Sequence, residues 1–440
     1  MNRSPALSSR ILTGAAVFTQ FLIYTGGRML YNDGVYLFLP DKTGPRGAKE
    51  ADTMDFTKLK QCMDDLCAWR IPGNSVIVYK DGRQVFSYQS GYADLAAGRK
   101  MTGGELFYLY SCSKPITVAA AMTLFERGKF LLSDPIGEYL PEFRDMQVLL
   151  PDGSTEKAKR PISVRDLFCM TAGFHYNTDA PLFDRVCRQT GGRADTREVI
   201  RALAAEPLVF HPGEHWRYSL CHDVLACLTE VIAGKKFRDY VREVIFDPLD
   251  MRESGYHCDP AAPRMARQYR FVPDGQPLPA GVFCEKRDGG HIVETDQSNW
   301  LIFGPEYDSG GGGVIATLED YGKFAFALAH GGTGLNGERI LNSRTIDLMR
   351  RDHLTPAQAA DFNWAQFRGY GYGLGMRTLT DPAAGGSNGS PGECGWGGAA
   401  GATLLVDPAE RLALVYTHHM LNPQEEYYQP RLRNTLYSCL

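Results

Sequence analysis

Residues 109–122 read LYSCSKPITVAAAM. Ser111 and Lys114 stand three apart at the point where a strand-like run, LFYLY (106–110), gives way to a helical one. Pro115 suits the first turn of that helix, where a missing N–H costs nothing, and Gly128 suits its end. Residues i and i+3 share a helix face, so Lys114 can reach the Ser111 hydroxyl. The unpaired N–H groups at the helix start, with the positive end of its dipole, favour an anion there. An amine held out of water at that spot can take the serine proton. The competing reading is an N-capping serine followed by a solvated lysine. S-x-x-K alone does not decide, since it recurs at Ser154–Lys157. That copy sits inside the polar PDGSTEKAKRP with no apolar helix behind it, and it reads as a solvated, charged loop.

The chain of 440 residues is 44% hydrophobic and 22% charged, enough for one large core or two smaller ones. Forty-seven basic residues against 51 acidic ones leave a net charge of -4. This balance gives no electrostatic footprint for nucleic acid, and no nucleic-acid partner is expected. Eleven cysteines, odd in number and irregularly spaced, do not form a disulfide framework and point to a reducing, cytoplasmic interior. Residues 11–27, ILTGAAVFTQFLIYTGG, follow Arg3 and Arg10 and resemble a signal or anchor, the alternative being an exported chain. Gln20 and several Thr and Gly interrupt that run, which falls short of the roughly 20 apolar residues of a spanning helix. Membrane association is therefore expected only if this segment is retained as an anchor. Residues 1–53 are read as an extension and linker. A fresh start follows at Met54, with helical spacing of Phe56, Leu59, Met63 and Leu66.

The expected layout is α+β, a mainly antiparallel sheet flanked by helices. NSVIVYKDGRQVFSYQSGYAD (74–94) reads as a hairpin turning at Asp81-Gly82. Helical patterns dominate from about 160 to 255, and an inserted helical subdomain is placed at about 130–300 of a domain spanning 54–440. The tail returns to strands in GYGYGLGMRTL, GATLLVDP and RLALVYTHHM. The sheet would thus use both ends of the chain, with a cleft at the seam with the helices.

Four further patterns have plain readings. GGSNG (385–389) matches a nucleophile elbow, but neither a strand before nor a helix after Ser387 is expected. KTG at 42–44 lies in the linker. His211 and His215 are four apart, but Pro212 and Gly213 forbid the helix a zinc pair would need. His418 and His419 would point to opposite faces of a strand. No metal and no cofactor is expected.

Two later stretches could join the serine. Tyr218, in PGEHWRYS before a helix, supplies a phenol able to shuttle a proton, or else a packing residue. Trp396-Gly397-Gly398, in ECGWGGAAGATLLVDP, open a strand where glycines would let a substrate approach the backbone, or else form a tight turn. The ordered set SCSK, PGEHWRYS, SGGGGV and WGGAAG resembles the serine β-lactamase and penicillin-binding protein-like superfamily. Its class C-like branch and the family VIII carboxylesterases are the most similar, from about Met54 to the C-terminus. The resemblance implies a β-lactamase-like fold and an acyl-enzyme on Ser111, with Lys114 as general base and Tyr218 assisting proton transfer. It implies an oxyanion hole from the backbone N–H groups of Ser111 and Ala399, such donors being worth roughly 3–4 kcal/mol each. It places substrate along Trp396, Gly397, Gly398 and Leu220. Two departures stand out. Tyr218-Ser219-Leu220 lacks the usual asparagine, and Trp396-Gly397-Gly398 lacks the usual cation. Both favour carboxylic esters, with hydrolysis or acyl transfer to an alcohol. A β-lactam or D-alanyl peptide hydrolase, and a non-catalytic scaffold, are the alternatives. The expected partner is a small-molecule ester or amide, and no oligomeric state is implied.

Overall fold

Asp81 and Gly82 both take positive φ, 50° and 88°, as a two-residue hairpin turn between right-twisting strands requires. They join β1 (Gly73–Lys80) to β2 (Arg83–Asp94), and β3 (Arg99–Lys100) pairs with the far end of β2. Five strands from the C-terminal part complete the sheet: β4 (Tyr370–Tyr372), β5 (Arg377–Leu379), β6 (Cys394–Gly397), β7 (Thr403–Asp407) and β8 (Leu412–His418). The order is β4-β5-β6-β7-β8-β1-β2-β3, antiparallel throughout, so β8 from the end of the chain lies beside β1 from its start. The α+β expectation and the sheet built from both ends of the chain are met.

This computed structural model describes residues 28–32, 35–39 and 54–440. Arg28–Asn32 and Val35–Leu39 pair antiparallel in a hairpin of their own, in a unit separate from the one formed by Asp55–Cys439. The expectations for the apolar run 11–27, for KTG at 42–44 and for the linker up to residue 53 lie outside the described residues.

Both faces of the sheet are covered, and so β1 and β8 are buried along almost their whole length rather than alternating. On one face, Asn74 donates from Nδ2 to the Met63 carbonyl of α1 (Thr57–Trp69) at 3.0 Å. Helix α2 (Ser113–Glu126) is the central helix, with every residue from Ser113 to Leu124 buried. A helix apolar on all sides belongs inside a large core. It packs against α3 (Cys221–Ala233), itself buried from Cys221 to Thr229. Helix α4 (Leu318–Ala329) covers the other face of the sheet: at Gly322 an added Cβ would stand 3.0 Å from Tyr79 and 3.2 Å from Ile77. Helix α5 (Glu425–Tyr437) closes the chain beside α1.

Helices at 164–169 and 196–203 begin with full capping boxes, Ser163 with Asp166 and Asp195 with Glu198. The span 130–300 is helical only as far as Phe246. Beyond it, 269–273, 290–294 and 284–287 form a three-stranded antiparallel sheet. Tyr269 and Phe271 are buried on one side of the first strand and Arg270 is exposed on the other, an alternation with period two, so this part of the inserted segment is a sheet. The second S-x-x-K lies in an exposed hairpin rather than a loop. Thr155–Lys157 pairs with Gln147–Leu149, and the Ser154 hydroxyl donates to Asp152 at 2.6 Å. Ser387 follows a short helix, Pro382–Gly385, rather than standing between a strand and a helix as a nucleophile elbow does.

All eleven cysteines are free thiols. Among the described residues no helix is long and apolar enough to cross a membrane, and no group of three His, Cys, Asp or Glu is placed to hold a metal ion. His211 bonds Glu156 at 2.9 Å while His215 bonds Asp361 at 3.0 Å, so the two face different partners.

Burial depresses three histidines, His222 and His418 to about 3 and His419 to about 4. Unfolded, each titrates near pH 6.5. The stability they contribute as neutral groups is complete above about pH 6.5 and is lost as the pH falls toward 4, because only the unfolded chain takes up the protons. At pH 5 each is expected to cost on the order of 2 kcal/mol. Urea unfolding followed from pH 7 to pH 5 should show a steep fall in midpoint, and His418→Gln should flatten it.

Candidate active site

The strand Leu106–Tyr108 runs into a 3-10 turn, Tyr110–Cys112, and then directly into α2. Tyr110 holds φ at +46°, a left-handed conformation that costs a non-glycine residue roughly 1–2 kcal/mol. Its ring holds it there. The side chain is fully buried, its hydroxyl donates to Gln268 Oε1 at 2.5 Å, and Trp300 lies against the ring at 4.6 Å. The next residue is Ser111, 8% exposed. Ser111 does not cap the helix. The N-cap position belongs to Cys112, which makes no side-chain cap bond.

Lys114 is fully buried, which removes the reading of a solvated lysine. Its Nζ donates to Ser111 Oγ at 3.1 Å and to the Gly311 carbonyl at 2.7 Å. From the other side the Tyr218 hydroxyl donates to the same Oγ at 2.5 Å. The Lys114 Nζ also lies 4.6 Å from the centroid of the Tyr218 ring. Ser111, Lys114 and Tyr218, singled out from the sequence, therefore meet at one oxygen. Cys112, beside the serine, is not a rival nucleophile, because burial pushes its thiol up to about 12.

The SGGGGV run is laid along α2 and fixes the lysine. Thr117 donates to the Gly310 carbonyl at 2.7 Å, and Val314 N–H donates to Ser113 Oγ at 2.9 Å. Asp223 Oδ1 anchors the run from α3, accepting from Tyr307 at 2.8 Å, Ser309 at 2.7 Å and the Gly311 N–H at 3.3 Å. Glycine is needed here for room. A Cβ on Gly310 would lie 2.3 Å from the His222 carbonyl, and one on Gly311 2.4 Å from Asp223 Oδ2.

The third motif approaches from the C-terminal part. Strand β6 pairs with β5 only at Cys394 and Gly395, which leaves its edge open at Trp396 and Gly397. Cys112 Sγ donates to the Trp396 carbonyl at 3.5 Å, tying that edge to the serine turn. Gly398 passes so close that a Cβ would fall 2.2 Å from the Leu109 carbonyl. Among the described residues, neither the Ser111 nor the Ala399 N–H donates to a protein acceptor. Trp396, 2% exposed, stacks on Tyr218 at 5.8 Å and meets Phe367 at 5.3 Å and Trp364 at 6.1 Å. Leu220 does not join this group. It is 2% exposed and packs into the main core at the start of α3.

Sequence reasoning missed Asp223, the wall residues Tyr176 and Trp364, and the Gly311 carbonyl. Asp223 carried one usable signal, an acidic residue in the first turn of a largely apolar helix, five residues after Tyr218. Tyr176 and Trp364 carried none, since only the fold brings them beside Tyr218, at 5.2 and 5.4 Å.

Comparison with known proteins agrees with this arrangement. Esterase EstB from Burkholderia gladioli is 32% identical over 363 residues, covering 79% of this chain and 85% of EstB. An uncharacterised protein of Mycobacterium tuberculosis is 31% identical over 357 residues, with the same shares of 79% and 85%. Among solved structures, EstCE1, described as a hydrolase with promiscuous acyltransferase activity, superposes with a TM-score of 0.70 at 26% identity, covering 86% of this chain and 97% of that one. The family model described as Beta-lactamase matches residues 57–436, nearly all of the larger unit, and the chain belongs to that family.

Proposed function

We propose that this protein is a serine hydrolase that cleaves carboxylic esters through an acyl-enzyme on Ser111 and can pass the acyl group to an alcohol as well as to water. The observation that carries the reading is the convergence of Lys114 Nζ and the Tyr218 hydroxyl on Ser111 Oγ, with two unpaired backbone N–H groups nearby. Lys114 accepts the hydroxyl proton as Oγ bonds to the ester carbon. The carbonyl oxygen takes up the electron pair and receives the N–H groups of Ser111 and Ala399. The tetrahedral centre collapses by breaking its bond to the alcohol oxygen, which leaves with a proton relayed through Tyr218. Water or a second alcohol then repeats the sequence in reverse, with Tyr218 and Lys114 taking its proton.

EstB is named an esterase and EstCE1 a hydrolase with acyltransferase activity, and both names fit this chemistry. The surroundings also argue for esters over β-lactams. Leu220, where an asparagine is usual, is 2% exposed and packs into the main core, so no side-chain amide is offered to a β-lactam or peptide at that position. Trp396, where a cation is usual, offers an aromatic face. The free thiols favour a reducing, cytoplasmic setting for the protein.

Brief exposure to p-nitrophenyl butyrate should give p-nitrophenol and an acyl adduct on the peptide carrying Ser111. Ser111→Ala should lose both, and a normal rate in that variant would end the assignment. Tyr218→Phe should turn over about 10²–10⁴-fold more slowly. Gly398→Ala tests the oxyanion geometry. Its methyl must push the Ser111 turn and the Ala399 N–H apart, and a fall of about 10²-fold in kcat is expected with the fold retained, checked by circular dichroism. Faster turnover of nitrocefin than of every ester tried would transfer the assignment to β-lactam hydrolysis.

A further inference from the structure

Beside the third motif stands a carboxylate that the proposed chemistry does not use. Glu425 opens helix α5, and its side chain is directed at Gly397. A Cβ built on that glycine would lie 2.7 Å from Glu425 Oε1 and 2.8 Å from Gln429 Nε2. Glycine at 397 therefore leaves the acid against the strand backbone. Gly397 is two residues before Ala399, roughly 7 Å along an extended chain, and Ala399 carries one of the two unpaired N–H groups.

The surroundings of Glu425 are poor in positive charge. Among the described residues, its side-chain hydrogen-bond partner is Gln366, whose Nε2 donates at 3.3 Å. The other amide atom, Gln366 Oε1, is buried without a partner. Arg377 is the cation acting on the acid, but it is buried and engaged by Glu393 at 3.0 Å. Burial of the acid with so little compensation pushes Glu425 up to about 7. Phe367, next to Gln366 in the chain, begins an aromatic wall that runs through Trp396 to Trp364 and Tyr218. A carboxylate, an unsatisfied carbonyl oxygen and aromatic faces all attract a positive charge and all disfavour a negative one.

We propose that Glu425 and Gln366, with the aromatic wall, form a subsite for an ammonium group on the ester, about six bonds from the scissile carbonyl, making the enzyme selective for cationic over anionic esters. This rests on the ester-hydrolase reading of Ser111. It reverses the charge logic of a site built to receive a carboxylate at the third motif.

The test uses the full chain and three p-nitrophenyl esters of one length, those of 6-aminohexanoate, heptanoate and singly esterified pimelate. A mirror series uses acetates of 6-aminohexanol, heptan-1-ol and 7-hydroxyheptanoate, which carry the charge on the alcohol side. At pH 8 the cationic member of at least one series should exceed the neutral one in kcat/KM by about tenfold, and the anionic member should trail it by a similar factor. The cation preference should rise between pH 6 and pH 8 as Glu425 ionises. The groups facing Glu425 leave that window to it: Cys112 is held at about 12, Tyr428 is raised well above 10, Gln366 does not titrate, and Arg377, paired with Glu393, keeps its charge. Glu425→Gln should bring the ratio toward one and remove its pH dependence, while Glu425→Asp should keep both in part. A cation-to-neutral ratio at or below one in both series, or a ratio unmoved in Glu425→Gln, overturns the subsite while the ester-hydrolase reading stands. Absence of turnover for all six esters overturns the ester-hydrolase reading and this subsite with it.

Discussion

The Lys114 amine, fully buried and held between the Gly311 carbonyl and Ser111 Oγ, is the contact on which the rest of the structure depends. A lysine with nowhere to reach water must have every donor direction supplied by the protein. Meeting that demand explains features that otherwise look unrelated. The four-glycine run lies close enough to α2 for a backbone carbonyl to reach the amine. Asp223 holds that run from α3 with three hydrogen bonds through one carboxylate oxygen. The Tyr218 ring sits under the amine as well as beside the serine. One buried amine thus ties together the central helix, the second motif and the glycine segment before α4.

Much of this was legible in the sequence, and for stateable reasons. Asp81-Gly82 between two β-branched runs can hardly be anything but a hairpin, and the helical patterns read from residue 160 onward coincide with helices as far as Phe246. Ser111 and Lys114 were legible because the distance between them is set by one helical turn. Tyr218 and the third motif were legible because the order of four short phrases resembles one superfamily, which local physics could not have supplied. What stayed hidden depends on distant parts of the chain. Residues 269–294 have the alternation of strands but sit after a long helical region, so the neighbourhood misled. Leu220 adjoins a site residue in sequence, yet the helix it starts turns it into the core. Gln366 and Glu425 carry no local mark of a site, and only the path of the chain brings them to Gly397.

The two sides of the site have different characters. On the α2 side the groups are polar and tightly paired, with hydrogen bonds of 2.5 to 3.1 Å around Ser111 and Lys114. On the β6 side the wall is aromatic and its polar groups are under-satisfied, as Gln366 Oε1 and the Ala399 N–H illustrate. A rigid, satisfied half suits groups that must keep one geometry through two acyl transfers. A half with spare hydrogen-bonding capacity suits the part that meets a variable ligand.

The sheet order also bears on the life of the chain before it is complete. Ser111, Lys114 and Tyr218 all belong to the first half of the sequence, whereas the Ala399 N–H arrives on the turn after β6, and α5 closes behind it. During synthesis the proposed nucleophile and base precede the N–H donor proposed at Ala399, so the nascent chain lacks half of the anion-binding site proposed above. Reactivity is thereby coupled to completion of the sheet, and a chain truncated before β6 would retain the nucleophile without the means to use it.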